Sequence, residues 1–171
     1  MAVAQFNLAE HQRAERKLLL TVAEWTEGSD QERELLGRRT EDSSVEYNAD
    51  QSTTTDILGI NYTDVNKTQP QQDFDPYLIL GGSKLGAKLD DIRRRNALSE
   101  LSQFTLYLIT GYVGDAVNGY RAEKHVNCTI QYNSLGGDAN VNMPISVYFS
   151  NDVTNGHVDK LAPDFVFTPD A

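Results

Sequence analysis

"SKLGAKLDDIRRR", Ser83 to Arg95, is the stretch whose reading decides the fold. Leu85, Leu89 and Ile92 recur at intervals of four and three residues, which lays one apolar stripe along a helix. Ser83 stands where an N-cap hydroxyl meets the free N–H groups of the first turn. Arg93, Arg94 and Arg95 stand at the other end, where cations face the negative end of the helix dipole. The spacing predicts one flanking helix over about Ser83–Arg95, with "ALSELSQ" (97–103) adding a further turn.

Towards the N-terminus the pattern changes. "KLLLTVAEW" (17–25) reads as a strand, followed by an acidic connection, "TEGSDQERELLGRRTEDS", in which Leu35 and Leu36 form a short strand. "SVEYN" (44–48) alternates in the period of a half-buried strand. "TTTDILGINYTDV" (53–65) reads as one strand in which Gly59 marks a bulge or a close backbone approach. "NKTQPQQDFDP" (66–76) is then a polar, irregular excursion, because Pro70 and Pro76 lack the N–H that a sheet interior needs. Such connections in compact domains are uncommon and tend to serve an interface. Residues 1–16 read as an N-terminal arm or short helix, ahead of a single domain over 17–171.

Towards the C-terminus the chain is strand again: "FTLYLITGYV" (104–113), "HVNCTIQY" (125–132), "PISVYFS" (144–150) and "DFVFT" (164–168). "GDAVNG", "SLGGDANVN" and "NDVTNG" supply turns. In "PISVYFS", Ile145, Val147 and Phe149 face one way and Ser146, Tyr148 and Ser150 the other. Strands, one helix, then strands is the order of a mainly β (α+β) fold, a β-sandwich or barrel-like core with a single flanking helix.

A formal net charge of −10 over 171 residues argues against nucleic-acid binding, which needs basic patches to displace phosphate counterions. The same charge repels anionic membranes, and no apolar run approaches a membrane span. A lone cysteine, Cys128, cannot form an internal disulfide, and residues 1–17 lack the order of a signal peptide, so the expected site of synthesis is intracellular. Cys128 alternates with Ile130 and reads as a small core residue.

Catalytic signals fail on inspection. "GGSKLGAK" (81–88) has P-loop glycine spacing, but Ala87 stands where the lysine belongs. "DANVN" (138–142) begins like an EF-hand loop, but Met143 replaces the turn glycine and Phe149 the bidentate glutamate. His11, His125 and His157 are dispersed. The residues single out no cofactor, metal or carboxylate pair, and the chain reads as a non-enzyme. A carbohydrate-binding sandwich would rest only on Trp25 and scattered tyrosines, and a glycan hydrolase on carboxylates that abundance alone explains.

Two blocks carry a resemblance: residues 38–104, from "RRTEDSSVEYNADQ" through "GGSKLGAKLDDIRRRNALSELSQF", and "AEKHVNCTIQYNSLGGDANVNMPISVYFSND" (122–152). This pattern resembles the major tail protein, or tail tube protein, of long-tailed bacteriophages and prophages of Gram-positive bacteria. The resemblance implies a virion-tail subunit, made and assembled in the host bacterial cytoplasm. Its copies form rings, usually hexamers, that stack into a hollow tube. Partners implied are other copies of itself, the tape measure, the tail terminator and distal tail proteins. Genomic DNA would pass through an acidic lumen without specific binding. A contractile tail, a phage-tail-like bacteriocin or an injection apparatus would use a similar tube subunit. The contact residues expected on this reading are Asn66, Lys67, Gln69, Gln71, Gln72 and Phe74 of the polar excursion, with Arg93, Arg94 and Arg95 of the helix. If the excursion is a surface loop, deleting 69–72 leaves a folded subunit that fails to polymerise.

Overall fold

The computed structural model describes residues 3–171. The helix forms where its stripe predicts. α1 spans Lys84–Arg95, and the hydroxyl of its N-cap Ser83 accepts from the Gly86 N–H at 3.1 Å. It stops at Asn96, which is left-handed (φ 55°), and the Ala97 N–H reaches back to the Ile92 carbonyl at 3.1 Å. Leu85, Leu89 and Ile92 are fully buried. A 3-10 turn, Leu98–Ser102, supplies the extra turn.

Before the helix come β1 (Leu19–Glu27), β2 (Asp30–Leu35), β3 (Val45–Glu46), β4 (Asp50–Thr55), β5 (Asn61–Lys67) and β6 (Gln71–Phe74). After it come β7 (Phe104–Asp115), β8 (Gly119–Tyr132), β9 (Ile145–Tyr148), β10 (Val153–Val158) and β11 (Phe167–Pro169). The main sheet runs β2-β1-β7-β8-β9-β6-β3, with β10 and β11 branching from β8, and β4-β5 form a separate two-stranded sheet. Every pairing is antiparallel. The result is a mainly β, sandwich-like fold with one α-helix, as the order of elements predicted.

β8 is the branching strand. Its first half, Tyr120–His125, pairs with β10, and its last four residues, Thr129–Tyr132, pair with β9. Between them Asn127 takes a left-handed φ of 55°, and the register against β7 slips between Leu106–His125 and Phe104–Cys128. A bulge of this kind bends a strand and lets it leave one layer for another. Cys128 is buried at that corner, with burial pushing its thiol pKa up.

β7 explains the unbroken apolar runs. Phe104, Leu106 and Leu108 face a large core closed by α1, β6 and β9. Tyr107 and Ile109 face a second core with Val22, Ala122, Val158 and Phe165. A strand buried on both faces shows no polar alternation. The second core is covered by the segment after β10, which Arg33 holds down. Its guanidinium donates to the Phe165 carbonyl at 2.6 Å and to Glu24 at 2.5 Å, and lies 4.3 Å from the Phe165 ring centroid. Burial, then the nearby Glu24 carboxylate, pushes the Tyr107 pKa up to about 12.

Several sequence expectations are corrected. The acidic connection after β1 is a hairpin arm: Gly28 (φ 63°) makes the turn and β2 pairs along β1 from Leu35 to Asp30. The stretch 53–65 is two strands folded back at Gly59, not one strand with a bulge. "NDVTNG" lies mostly in β10 rather than forming a turn. The polar excursion is largely strand: Asn66 and Lys67 end β5, and Gln71–Phe74 is β6, paired with β3 and β9 inside the main sheet. Pro70 and Pro76 flank β6 and so cost the ladder nothing. In "PISVYFS", Ile145, Val147 and Phe149 do enter the core, but Ser146 is also buried, accepting from Asn133 at 2.9 Å. Residues 3–15 lie outside the strands and contain no α-helix; Met1 and Ala2 fall outside the described residues.

Leu89→Ala should therefore destabilise the chain by about 2–5 kcal/mol in urea unfolding, since the site is fully enclosed. Arg33→Ala should cost about 3–5 kcal/mol, because it strands the buried Glu24 carboxylate. Removing 69–72 takes out half of β6 and should abolish the cooperative melt, contrary to the loop expectation; a folded deletion product would refute that placement of β6.

Candidate functional site

The sequence-predicted contact residues fall in three places. Asn66 and Lys67 are exposed on β5, with Gln69 exposed just beyond. Gln71 is half-buried, while Gln72 and Phe74 point into the core at 1% and 2% exposure. Gln72 is held there by a buried hydrogen bond from the Thr21 hydroxyl (2.7 Å) and donates to the Ser43 hydroxyl (3.1 Å). Buried amides persist when both ends find partners, so their polarity gave a false surface signal. Gln72 and Phe74 thus serve the fold and are removed from the contact set.

Arg93, Arg94 and Arg95 are exposed at the end of α1. Arg93 pairs with Asp90 at 2.7 Å, and Arg95 with Asp91 (2.8 Å) and Glu100 (2.9 Å). The Arg95 hydrogen bonds, foremost, hold the Glu100 carboxyl down at about 2. Among the described residues Arg94 alone of the three has no carboxylate partner.

The start of α1 is internally capped. Glu34 of β2 accepts from the Leu85 N–H (2.7 Å), the Ser83 hydroxyl (2.9 Å) and the Tyr77 hydroxyl (3.1 Å). A carboxylate here meets the positive end of the helix dipole. The near-P-loop "GGSKLGAK" is thereby satisfied from within the chain. Burial, and then the Glu34 charge, raises the Tyr77 pKa. His125 packs on Phe149, with ring nitrogens 3.0 Å from the Ser150 carbonyl and 3.3 Å from Glu123, whose pKa that contact lowers. Among the described residues no three His, Cys, Asp or Glu side chains gather as a metal site.

The unexplained surface is the β4-β5 hairpin. Its strands pair only with each other, and all of their residues are exposed. An isolated two-stranded hairpin is marginal in water, and both outer edges present unpaired backbone. Six paired residues per strand give it a reach of about 20 Å. Cross-strand polar contacts stiffen it: Thr53 and Thr63 hydroxyls lie 3.0 Å apart, and the Thr55 hydroxyl donates to Asn61 at 2.6 Å.

The tip is hydrogen-bonded from within. Gly59 is left-handed (φ 78°) and its N–H donates to the Asp56 carbonyl at 3.0 Å, giving a three-residue loop of Ile57, Leu58 and Gly59. The Asp56 carboxylate accepts from the Leu58 N–H (2.8 Å), the Ile60 N–H (3.0 Å) and the Tyr62 hydroxyl (3.2 Å). The Ile60 N–H foremost, then the Leu58 N–H and the Tyr62 hydroxyl, hold its pKa below 3.8. Ile57 (102% exposed) and Leu58 (77%) project from this rigid turn, with Ile60, Tyr62 and Val65 also exposed. The tip is not legible from the sequence while Gly59 is taken as a bulge or close approach inside a single strand. A glycine in a short gap between two Thr-rich alternating runs was the available signal.

No protein-family model matches the sequence, and neither does any curated protein. A solved structure does share its architecture. A chain in the cryo-EM structure of the anti-feeding prophage cap (AFP tube terminating cap) superposes with a TM-score of 0.50 over 92% of this chain and 99% of that one. The two share a fold. Sequence identity is 14%, so the likeness is one of fold alone. A chain in the six-fold symmetrised anti-feeding prophage baseplate is also similar, at a TM-score of 0.43, 9% identity and coverage of 86% and 97%. No helix among the described residues is long and apolar enough to cross a membrane.

Asp56→Ala should speed amide exchange at Leu58 and Ile60 while leaving the melting temperature of the whole chain unchanged. The parent tip should loosen in the same way with acid. Because the folded pKa lies below 3.8, its support is complete above 3.8 and disappears as pH falls through the folded value. Exchange rates at those two amides, followed against pH, check the sign.

Proposed function

We propose that this chain is a structural subunit of a tail tube, assembling with copies of itself into stacked rings. The observation that carries the reading is the hairpin: an exposed ribbon with an apolar, pre-organised tip that no part of its own chain covers. Apolar side chains held on a rigid turn make poor solvent-facing features and good interface anchors. The fold shared with a chain of a tube-terminating cap structure supports the same direction. Asn66, Lys67 and Gln69 belong to the ribbon and its root, so half of the six expected contact residues that remain exposed fall on it. Arg94, free of a carboxylate, is a second contact candidate at the end of α1.

On this reading the rings are hexameric and surround a lumen through which genomic DNA passes without being held. A subunit of net charge −10 disfavours phosphate contacts along such a wall. Tape measure, terminator and distal tail proteins would complete the tail. A second reading makes the chain the subunit that ends a tube rather than its shaft, favoured by the cap structure among its neighbours in fold. Shaft subunits polymerise into filaments of open length; a terminating subunit stops at closed rings.

Negative-stain microscopy of the concentrated protein should show rings or hollow filaments, and which of the two appears decides between shaft and terminus. Ile57→Ser with Leu58→Ser should leave the melt unchanged, because both side chains are exposed, and should abolish assembly. A parent protein that stays monomeric at high concentration would end the reading.

A further inference from the structure

Two Asn-Gly steps stand in the sequence, Asn118-Gly119 and Asn155-Gly156. At such a step the glycine backbone nitrogen can reach the asparagine side-chain carbonyl carbon, because no Cβ on the second residue blocks the approach. The structure separates the two. Asn155-Gly156 lies inside β10, where Gly156 pairs with Ala122 of β8 on one side and Pro169 of β11 on the other. The Asn155 carbonyl also accepts from the Asp170 N–H at 3.0 Å. Asn118 is exposed in the turn between β7 and β8, residues 116–118, and Asp115 opposite Gly119 is the last pair of that ladder. Opening one terminal pair costs far less than opening a strand held on both edges.

We propose that Asn118 is a site of spontaneous self-modification. The Gly119 nitrogen attacks the Asn118 side-chain carbonyl carbon and closes a five-membered imide. The bond to the side-chain nitrogen breaks, and ammonia leaves with the proton that the Gly119 nitrogen gave up. Water then opens the imide at either carbonyl, leaving aspartate or isoaspartate at position 118. The fold itself retains the reactive pair. Gly119 has a φ of 92°, and a Cβ there would meet the His157 ring at 2.7 Å and the Val158 carbonyl at 3.0 Å. Asn118 serves the turn: the Asp115 carboxylate accepts from its side-chain amide (3.0 Å), from its N–H (2.7 Å) and from the Val117 N–H (2.8 Å). These donors, the Asn118 N–H foremost, hold the Asp115 pKa below 3.8. Modification therefore replaces a hydrogen-bond donor by a carboxylate facing an ionised one, and the two repel. The isoaspartate form also lengthens the backbone by one carbon beside the Asp115–Gly119 and Gly114–Tyr120 pairs. The end of the β7-β8 hairpin loosens as the protein ages. The step needs no partner and is independent of the self-assembly reading.

Incubating the full chain in mildly alkaline buffer and mapping its peptides by mass spectrometry tests the site. Conversion at Asn118 should run about tenfold or more faster than at Asn155, with aspartate and isoaspartate both present. In urea, where both ladders are open, the two sites should convert at similar rates. Asn118→Ser should abolish the faster conversion, and Asn118→Asp should speed amide exchange at Val117 and at residue 118. An Asn118 that survives in the folded chain, or converts no faster than Asn155, overturns the proposal. Aspartate without isoaspartate overturns the imide route.

Discussion

The structure depends on β7 being buried on both faces. Alternate side chains of this strand enter two separate cores, and β1 beside it does the same with Ala23 and Trp25 on one side and Val22 on the other. A central sheet of this kind must be covered twice. Residues of α1, β6 and β9 close one face, and the segment carrying Leu161 and Phe165 closes the second. The second cover has little regular structure of its own, so its hold comes from Arg33, which joins Glu24, the Phe165 carbonyl and two aromatic rings. The Glu24 carboxylate is buried beside the half-buried Arg33 guanidinium because each completes the other's hydrogen bonding.

Once the two faces are closed, the chain has spent its polar partners inward as well as outward. Glu34 caps the helix, Gln72 joins β6 to β1, and Glu24 anchors the C-terminal cover. What remains without an internal role is the β4-β5 ribbon. Its strands are rich in threonine, asparagine and aspartate, with Tyr62 and Val65 of β5 as exposed exceptions, while Ile57 and Leu58 project from the turn. On the proposed self-assembly this division places the apolar anchor at the turn, since a small apolar tip recruits fewer wrong partners than an apolar strand edge.

The electrostatics follow the same division. A large negative total charge opposes self-association over distance, but the screening length at physiological salt is about 8 Å.

The sequence by itself determined the helix and its N-cap, because the 85-89-92 stripe, Ser83 and the terminal arginines are local signals read at fixed spacing. It also determined the mainly β architecture and the burial of Cys128, whose neighbours alternate in a strand. It misplaced Gln72 and Phe74, since a polar run with two prolines looks like a loop until Thr21 and Ser43, far away in the chain, are seen to satisfy the amide. It merged β4 with β5, since a glycine in a strand-like run marks either a bulge or a reversal, and only pairing partners tell them apart. Which surfaces stay exposed was likewise settled by tertiary structure, because exposure depends on what every other segment has already covered.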